Sequence, residues 1–312
     1  MKTITVFIIT YNQERVIRRT LDSILCQKEW GLYQIIIGDD CSKDSTYDIL
    51  LEYQHQYPDI IRPIRNEKNL GIYGNLYNTI QHREESDLYT FCAGDDELCD
   101  GYFQSVQRYI EDNKIDTDGK IGIYSDWKAI DPKGKEQIYR QTIVSRNYSL
   151  WSLHMRNLIG NRSLIFSKPV IDAYLPAILD RGLHLAEGMF DSQTARTIEY
   201  AYYLPGVFSA YYTGVGVSSS LSKTGYATDE NIIKWNYYLE NYISEKRDVF
   251  YAKYQIAYSE YLIKPDISKF CVSIIYYLKG LYPVSFRSIM SVLVLSLRML
   301  RYAVFYKKKQ HK

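Results

Sequence analysis

Four short apolar runs in the first hundred residues alternate with segments whose apolar residues recur at helical spacing. Apolar runs that stop at turn residues are typical of buried strands. The four predicted strands are Ile4–Thr10, Tyr33–Gly38, Ile60–Arg65 and Leu88–Ala93. The intervening helices are predicted at Gln13–Gln27, from Asp44 or Ser45 to about Tyr57, and at about Asn75–His82. This order predicts an α/β fold whose mostly parallel, doubly wound sheet carries helices on both faces.

The alternation of strands and helices continues beyond the fourth strand. The further predicted elements are a helix at Gly101–Asn113, a strand at Ile121–Ile130 with a hairpin partner at Glu136–Val144, a strand ending at Phe166, a helix from Lys168 to about Leu179 and a strand-rich segment at Tyr200–Tyr212. We therefore expect one α/β domain at residues 1–225 and a helical C-terminal appendage at residues 226–312.

The C-terminal region has its own pattern. Asp229–Ile263 is a long polar and aromatic helical pattern that ends at Lys264 and Pro265. Phe286–Tyr306 is strongly apolar, but its uncharged run is shorter than the roughly 20 residues that a membrane-spanning helix needs. An apolar helix with arginines, followed by a lysine cluster, is typical of a helix that lies in a membrane interface. A helix docked on the core and a dimer element are the alternatives.

Adjacent carboxylates follow two of the predicted strands. Asp39 and Asp40 end the second strand, and Asp95 and Asp96 follow the fourth strand after Gly94. Because ligands bind at the carboxyl edge of such sheets, both pairs are expected at a binding site. Adjacent carboxylates resist joint ionisation unless a cation lies between them. A hard divalent cation would meet that need and would carry nucleotide phosphates, whereas solvated acidic turns are the alternative.

A third acidic pair lies later in the chain. Glu187 and Asp191 are four residues apart, so on a helix they would share one face. A general base needs only one carboxylate within reach of the proton that it removes. Either residue is a candidate base, and a pair of solvated surface acids is the alternative.

Composition narrows the function classes. The net charge of +2 argues against a nucleic-acid interface. The five cysteines show no CxxC spacing, which favours free thiols in a reducing compartment over disulfides or zinc. The first turn lacks the GxGxxG of dinucleotide-binding proteins. The first apolar run is too short for a signal sequence with a cleavage site, so no signal peptide is expected.

Five motifs follow one another in the first hundred residues. They are VFIITYNQE, SILCQ, IIIGDDCSKDST, NLGIYGN and FCAGDD. In this order and spacing the chain resembles the family 2 glycosyltransferases of GT-A fold, over about residues 3–215. The resemblance implies an inverting enzyme that moves a sugar from a UDP-, GDP- or dTDP-linked donor to a saccharide or a lipid-linked saccharide. It also implies a nucleotide-binding half at residues 1–115 and an acceptor half at residues 116–225.

The resemblance also implies which residues form the site. The nucleotide-sugar contacts would be Thr10, Tyr11, Asn12, Glu14, Asp39, Asp40, Gly71, Asn75, Asp95 and Asp96. Asp40 matches the acid that reads the base, and Asp95 and Asp96 match a DXD-type element that holds Mg²⁺ or Mn²⁺. Many members carry Asp where this chain has Ala93, which leaves open which acid is the main metal ligand. The family's general base matches Asp191, with Glu187 as the alternative.

The same resemblance implies a role in the synthesis of O-antigen, capsule or another surface polysaccharide. Such an enzyme would be cytoplasmic and peripheral on the inner membrane, held by its C-terminal tail, and the tail is also compatible with a homodimer. Two other functions remain open. A sugar nucleotidyltransferase usually has a glycine-rich basic loop after the first strand, and this chain has Tyr11-Asn12-Gln13-Glu14 there. A catalytically silent homologue would serve as a binding or scaffold subunit.

Overall fold

The computed structural model describes residues 1–140, 163–172, 197–214, 226–241, 243, 246–280, 294–297 and 299. These residues fall into two compact units. The described residues up to 214 form the first unit, and those from 226 onward form the second. The first unit contains a β-sheet with helices, and the second is helical.

One mixed sheet forms the centre of the first unit. Its described strands are β1 (Ile4–Thr10), β2 (Leu32–Asp39), β3 (Ile61–Arg65), β4 (Leu88–Ala93), β5 (Glu97–Leu98), β6 (Ile121–Ile130), β7 (Glu136–Tyr139), β8 (Leu164–Ser167) and β9 (Tyr200–Tyr212). They lie in the order β3-β2-β1-β4-β8-β6-β9-β5, and β7 pairs with β6. The first four strands of this order are parallel, whereas β8 is antiparallel to both β4 and β6. The predicted α/β fold is confirmed, with a mixed sheet because antiparallel strands extend the parallel part.

Helices connect the strands of the first unit and make up most of the second. The first unit contains α1 (Ile17–Leu25), α2 (Thr46–Gln56), α3 (Gly71–Gln81), α4 (Tyr102–Asp112) and α5 (Lys168–Asp172). The second contains α6 (Tyr226–Asn241), α7 (Lys246–Ile263) and α8 (Ile267–Gly280). Among the described residues, no helix is both long enough and apolar enough to cross a bilayer.

Several predicted helix boundaries need correction. α1 begins at Ile17 rather than Gln13, because the Gln13 N–H donates to Thr46 Oγ1 and the preceding loop is bound to the start of α2. α3 begins at Gly71, four residues earlier than predicted. The long pattern at Asp229–Ile263 is two helices, α6 and α7, and α8 was not predicted.

Some predicted elements lie partly or wholly outside the described residues. The hairpin strand expected at Glu136–Val144 is described only as β7, and the helix from Lys168 only as α5. Of the apolar segment Phe286–Tyr306, the structure describes residues 294–297, which are helical, and residue 299. The expectation of an interfacial helix there stays a prediction.

Alternate residues of β1 are buried on opposite faces of the sheet, as strand geometry requires. Ile4, Val6 and Ile8 belong to the main apolar cluster with the buried residues of α1, α2 and α4. On the other face, Phe7 stacks on Tyr89 with ring centroids 5.7 Å apart. α3 covers this second face, where its residues contact Gly38 at the end of β2. The prediction of helices on both faces is confirmed.

Aromatic side chains form the core of the second unit. The Trp235 ring meets the rings of Tyr238 and Tyr251 edge-on, with centroids 5.4 Å and 5.3 Å away. Tyr254 of α7 contacts Tyr277 of α8 at a centroid distance of 4.8 Å. All five side chains are buried. The abundant tyrosines of this region therefore hold the three helices together.

We expect Gly38→Ala to destabilise the first unit. A Cβ at Gly38 would lie 2.0 Å from Thr79 Oγ1 and 2.4 Å from Asn75 Oδ1, so α3 would have to move. Overpacking of this kind costs about 1–3 kcal/mol of unfolding free energy. The measurement is the denaturant midpoint of the variant. Gly119→Ala is the control, since its Cβ would have no neighbour closer than 3.8 Å and the midpoint is expected to stay unchanged. Equal midpoints for both variants would contradict the close packing of α3 on Gly38.

Candidate functional site

The two acidic pairs lie at one edge of the sheet, on either side of β1. β1 is parallel to both β2 and β4, with Thr10 beside Asp39 and Ile9 beside Ala93. Since neighbouring strands are about 4.8 Å apart, the ends of β2 and β4 are about 10 Å apart. The prediction that both pairs share the carboxyl edge is confirmed. This is the edge at which open α/β sheets bind ligands.

The loop after β1 is bound to the loop after β2. Asn12 has a left-handed backbone, with φ at 52°. Its N–H donates to Ser42 Oγ at 3.0 Å, and its Oδ1 accepts the Lys43 N–H at 2.8 Å. Thr10 Oγ1 donates to Gln13 Oε1 at 2.7 Å. These bonds hold Thr10, half-buried Tyr11 and Asn12 next to the end of β2.

Glu14 is used at the N-terminus of α2. Its Oε2 accepts the Ser45 N–H at 3.0 Å, and its own N–H donates to Asp44 Oδ2 at 3.1 Å. Asp44 Oδ1 also accepts the Thr46 N–H at 3.0 Å. These bonds lower the pKa of Asp44 despite its partial burial. Acidic groups at a helix N-terminus satisfy free N–H groups and complement the helix dipole.

The Asp40 carboxylate is buried and joins three segments. Its Oδ1 accepts the Leu70 N–H at 2.7 Å and the Asn66 side-chain amide at 2.9 Å. Its Oδ2 accepts the Gly71 N–H at 2.9 Å. The left-handed backbone of Gly71, with φ at 75°, starts α3 at this point. Asp40 therefore fixes the loop that contains Gly71, one of the residues that the family resemblance places at the nucleotide sugar.

Asn75 is buried beneath that loop, with its side chain used inside the fold. Its Nδ2 donates to the Gly38 carbonyl at 2.8 Å, and its Oδ1 accepts a hydrogen bond from Asn66 Nδ2 at 2.9 Å. Asn66 is in turn bound to Asn78, whose Nδ2 donates to Asn66 Oδ1 at 2.8 Å. Asn75 and Gly71 thus support the loop through Asn66 and Asp40.

Asp39 differs from its neighbour because one of its oxygens lacks a hydrogen bond. The side chain is fully buried, and Oδ1 has no hydrogen-bond partner. Oδ2 accepts the Ser42 N–H at 3.1 Å and lies 3.7 Å from Arg65 Nε. Burial raises the pKa of the Asp39 carboxyl, and these two partners offset only part of that effect. The raised pKa favours a proton on this acid.

The second acidic pair lies in a tight turn held by the helix that follows β1. A Cβ at Gly94 would lie 2.3 Å from Gln13 Oε1 and 3.1 Å from the Ile9 carbonyl oxygen, so a larger residue would displace the Gln13 side chain. Thr20 Oγ1 lies 2.9 Å from the Gly94 carbonyl and 2.7 Å from the Asp96 carbonyl. The Tyr212 N–H donates to Asp96 Oδ1 at 3.2 Å. Asp95 and Asp96 are both nearly buried and held at the carboxyl edge.

An aromatic and ionic cluster supports the same turn, and sequence reasoning missed it. Arg19 Nη2 donates to the Asp95 carbonyl at 2.6 Å, and Arg19 Nε lies 2.9 Å from Glu97 Oε1. The guanidinium carbon of Arg19 lies 3.5 Å from the Tyr212 ring centre. Tyr212 Oη donates to Glu97 Oε1 at 2.8 Å, and burial together with this bond raises the pKa of Tyr212 to about 12. Asp96 and Tyr212 are 116 positions apart in the chain, so no local pattern predicts the contact.

The two carboxylates of the turn suit a hard divalent cation whose other ligands are water and substrate phosphates. Among the described residues, no group of three or more His, Cys, Asp or Glu side chains has the spacing of a metal site. The turn instead offers two adjacent carboxylates, Asp95 and Asp96. Mg²⁺ is commonly held by one or two carboxylates, with water and substrate phosphates completing its ligands. The residues present fit a cation of that kind and not a closed protein site.

The two candidate bases lie outside the described residues. Glu187 and Asp191 both fall in the range 173–196, of which the structure gives no description. Their assignment stays a prediction from the sequence. The site described above is therefore the half at the carboxyl ends of β1, β2 and β4.

The part of the chain that carries this geometry matches a known protein family. Residues 5–170 match the family described as Glycosyl transferase family 2, which is more than half of the 312 residues. This chain belongs to glycosyl transferase family 2. The family match contains both acidic pairs, β1 from its second residue onward and every described strand from β2 to β8. The resemblance found in the sequence is confirmed.

Curated relatives match part of this family 2 chain. The uncharacterized protein Rv1520 of Mycobacterium tuberculosis is 28% identical over 161 residues, which are 51% of this chain and 45% of that protein. The dTDP-rhamnosyl transferase RfbG of Shigella flexneri is 36% identical over 87 residues, which are 28% of this chain and 30% of that protein. The matches thus span less than half the length of these curated relatives.

Solved structures share the fold. Residues 1–349 of S. aureus TarS, in complex with UDP-GlcNAc, align with a TM-score of 0.59 at 14% identity, over 92% of this chain and 82% of that chain. GalNAc-T7 with UDP, GalNAc and Mn²⁺ aligns with a TM-score of 0.56 at 14% identity, over 86% and 54%. At such low identity the likeness concerns the fold alone, and it confirms the GT-A fold.

We expect the unfolding free energy to depend on pH through Asp39. A carboxyl whose pKa is raised by folding contributes stability below the pKa of the unfolded chain, about 4, and loses it as pH rises through the folded value. The stability of the wild type relative to Asp39→Asn should therefore fall as pH rises above about 4. Denaturant midpoints of both proteins across the acidic range measure this. A difference between the two proteins that stays flat across the acidic range would refute the raised pKa of Asp39.

Proposed function

We propose that this family 2 chain is an inverting glycosyltransferase that moves a sugar from a nucleoside diphosphate donor to a hydroxyl of a saccharide or lipid-linked saccharide. One observation carries the proposal. Two acidic pairs flank β1 at the carboxyl edge of a GT-A sheet, within the part of the chain that matches the family. Acids at this position provide both a nucleotide site and a place for a cation on its diphosphate.

The names of relatives support a nucleotide-sugar donor. RfbG of Shigella flexneri is named a dTDP-rhamnosyl transferase, and TarS was solved with UDP-GlcNAc and with UDP. In the proposed arrangement the base and ribose lie along the loop at Thr10–Asn12 and the ends of β2 and β4. Asp40 and the Gly71 loop would form the wall beside the base. UDP, GDP and dTDP sugars all remain candidates for the donor.

The diphosphate would lie at the Asp95–Asp96 turn. These two residues would hold Mg²⁺ or Mn²⁺, and GalNAc-T7 was solved with Mn²⁺ and UDP. Such a cation would neutralise the charge that develops on the leaving diphosphate. The chain itself contributes the position of the two carboxylates, because Thr20, Arg19 and Tyr212 bind the turn.

A carboxylate in the acceptor half would serve as the general base. Asp191 is our first assignment, and Glu187 is the alternative. The acceptor oxygen would attack the anomeric carbon as the bond from that carbon to the diphosphate oxygen breaks. The proton of the hydroxyl would pass to the carboxylate. Displacement in one step from the face opposite the nucleotide inverts the anomeric centre, and alignment of the two substrates supplies much of the rate.

The proposed setting is the synthesis of a surface polysaccharide such as O-antigen or capsule. The names dTDP-rhamnosyl transferase RfbG and putative glycosyltransferase EpsE, from Shigella flexneri and Bacillus subtilis, are consistent with this setting. We keep the division into a transferase domain at residues 1–225 and a helical region at residues 226–312. Peripheral contact with the cytoplasmic membrane face through the tail remains part of the proposal, as does a homodimer as the alternative use of that tail.

We expect one nucleotide among UDP, GDP, CDP and dTDP to bind, and to bind more tightly with Mn²⁺. Asp95→Asn or Asp96→Asn should remove the Mn²⁺-dependent part of the affinity. Either change should lower transfer at least about 100-fold, since a Lewis acid supplies several kcal/mol of transition-state stabilisation. Calorimetric titration of the folded proteins, with and without Mn²⁺, is the measurement.

Asp100→Asn is the matched control for that titration. Asp100 lies in the same stretch but is exposed, so its change should leave nucleotide affinity intact. Full activity in both Asp95→Asn and Asp96→Asn would overturn the metal assignment. If the folded wild type bound none of the four nucleotides, the chain would be a silent homologue and the acidic pairs would be structural turns.

The base assignment has its own test. Asp191→Asn should lower kcat by roughly 10²–10⁴-fold, because a positioned base contributes about that much, and should leave nucleotide affinity unchanged. Glu187→Gln should then retain most of its kcat. The reverse result would move the base to Glu187. If both variants kept wild-type kcat, neither residue would be the base.

A further inference from the structure

The solvent-facing side of α8 is almost entirely apolar. Ile267, Val272, Ile275 and Leu278 are 75%, 41%, 48% and 38% exposed, and Cys271 is exposed as well. Consecutive residues of an α-helix are rotated by about 100° around the helix axis, so these five side chains lie on one face. The other exposed residues on that face are Ser268 and Lys279. No acidic side chain lies among them.

Exposed apolar side chains are concentrated in this part of the chain. Of the twelve large apolar side chains that are exposed among the described residues, seven lie between Ile263 and Leu297. Single exposed apolar residues are ordinary, but a continuous apolar face marks a contact surface. The helix that carries this face is well formed at its start, since Asp266 Oδ1 accepts the Ser268 N–H at 2.7 Å.

The charge of the same segment is strongly positive. Residues 264–312 contain ten lysines and arginines and one acidic residue, Asp266. Residues 1–263 contain 28 lysines and arginines against 35 acidic residues. The small net charge of the whole chain therefore conceals a basic C-terminal segment and an acidic remainder. A basic segment attracts an anionic surface.

We propose that the exposed face of α8, defined by Ile267, Cys271, Val272, Ile275 and Leu278, is a docking surface for an anionic lipid bilayer. Its aliphatic side chains would enter the boundary between headgroups and acyl chains. The net positive charge of residues 264–312 would attract the anionic headgroups. A helix with an apolar face and surrounding positive charge is the kind that lies in a membrane interface.

Two other occupants fit the observations less well. A second copy of the chain would bring two strongly basic segments together, and like charges at an interface oppose association. A nucleic acid would meet the positive charge, but single strands are held by stacking on aromatic rings, and the exposed face of α8 is aliphatic. An anionic bilayer satisfies both the charge and the apolar face.

This inference extends the proposed membrane contact to a named helix outside the tail, and it does not depend on glycosyl transfer. Lipid binding is measured without nucleotide, and nucleotide binding is measured without lipid. Failure of the lipid docking surface would leave the calorimetric result untouched. Failure of nucleotide binding would likewise leave the lipid result untouched.

The experiment is co-sedimentation of the full chain with vesicles of phosphatidylglycerol and phosphatidylcholine in equal amounts, compared with pure phosphatidylcholine. We expect tighter binding to the anionic vesicles, weakened by added salt. Ile275→Glu should lower the partition onto anionic vesicles roughly tenfold or more. The change replaces an apolar side chain that would be buried in the bilayer with a negative charge that anionic lipid repels. The double variant Val272→Glu and Leu278→Glu should have at least the same effect.

Ile138→Glu is the matched control. Ile138 lies on β7 and is 50% exposed, close to the 48% of Ile275, so it makes the same chemical change on the other unit. It should bind anionic vesicles like the wild type. Circular dichroism of each variant should match the wild type, since every changed side chain is exposed. A variant that lost its helical signal would be replaced by Ile275→Ser, which is expected to weaken binding as well.

Three results would overturn the proposal. One is equal binding of the wild type to anionic and neutral vesicles, or to neither. The second is equal loss of binding in Ile275→Glu and Ile138→Glu. The third is a dimer in light scattering that Ile275→Glu abolishes, with no vesicle binding by the wild type, which would make the face a contact between copies of this chain.

Discussion

The buried carboxylate of Asp40 is the constraint on which the loops at the end of β2 depend. A buried charge is tolerated only when hydrogen bonds replace its water. Asp40 obtains them from Asn66 and from the backbone N–H groups at the start of α3. Those N–H groups are among the donors that a helix leaves unsatisfied at its first turn. The acid and the helix start therefore satisfy each other, and the end of β2 is tied to the loop before α3.

The two acidic pairs lie at the same edge of the sheet but differ in their burial and hydrogen bonding. Both carboxylate oxygens of Asp40 accept hydrogen bonds from the protein. Asp39 is buried, its Oδ1 lacks a hydrogen-bond partner, and its pKa is raised. Asp95 and Asp96 lie in a turn whose backbone is bound by Thr20 and Arg19. The first pair thus organises the loop before α3, and the second lies in a turn at the same edge of the sheet.

The support of the Asp95–Asp96 turn reaches across the whole first unit. Arg19 of α1 and Tyr212 of β9 contact each other, and both contact the segment Asp95–Glu97. This cluster links α1 and the segment after β4 to β9, the last described strand of the first unit. In the second unit, aromatic side chains form the core, and one apolar face of α8 is exposed to solvent.

Much of the fold and half of the site followed from the sequence alone. The strands Ile4–Thr10 and Leu88–Ala93 were predicted to the residue, because apolar runs between turn residues are local signals. The acidic pairs were also predicted, since each follows a strand directly. The start of α3 was predicted four residues late, because the Gly71 N–H that begins the helix donates to the carboxylate of the distant Asp40. The division of Asp229–Ile263 into α6 and α7 and the existence of α8 were missed for a similar reason, since aromatic packing between helices stabilises them.

Other features were decided only by the tertiary structure. The sequence placed Asp39 and Asp40 in one site, but burial and hydrogen bonding decided that Asp40 is saturated and that the pKa of Asp39 is raised. The Arg19, Glu97 and Tyr212 cluster joins residues far apart in the chain, so no local pattern indicates it. Residue type and period determine strands, helices and the chemistry available at a turn. The solvent exposure, protonation and mutual contacts of those groups depend on contacts between distant segments, and these exist only in the folded chain.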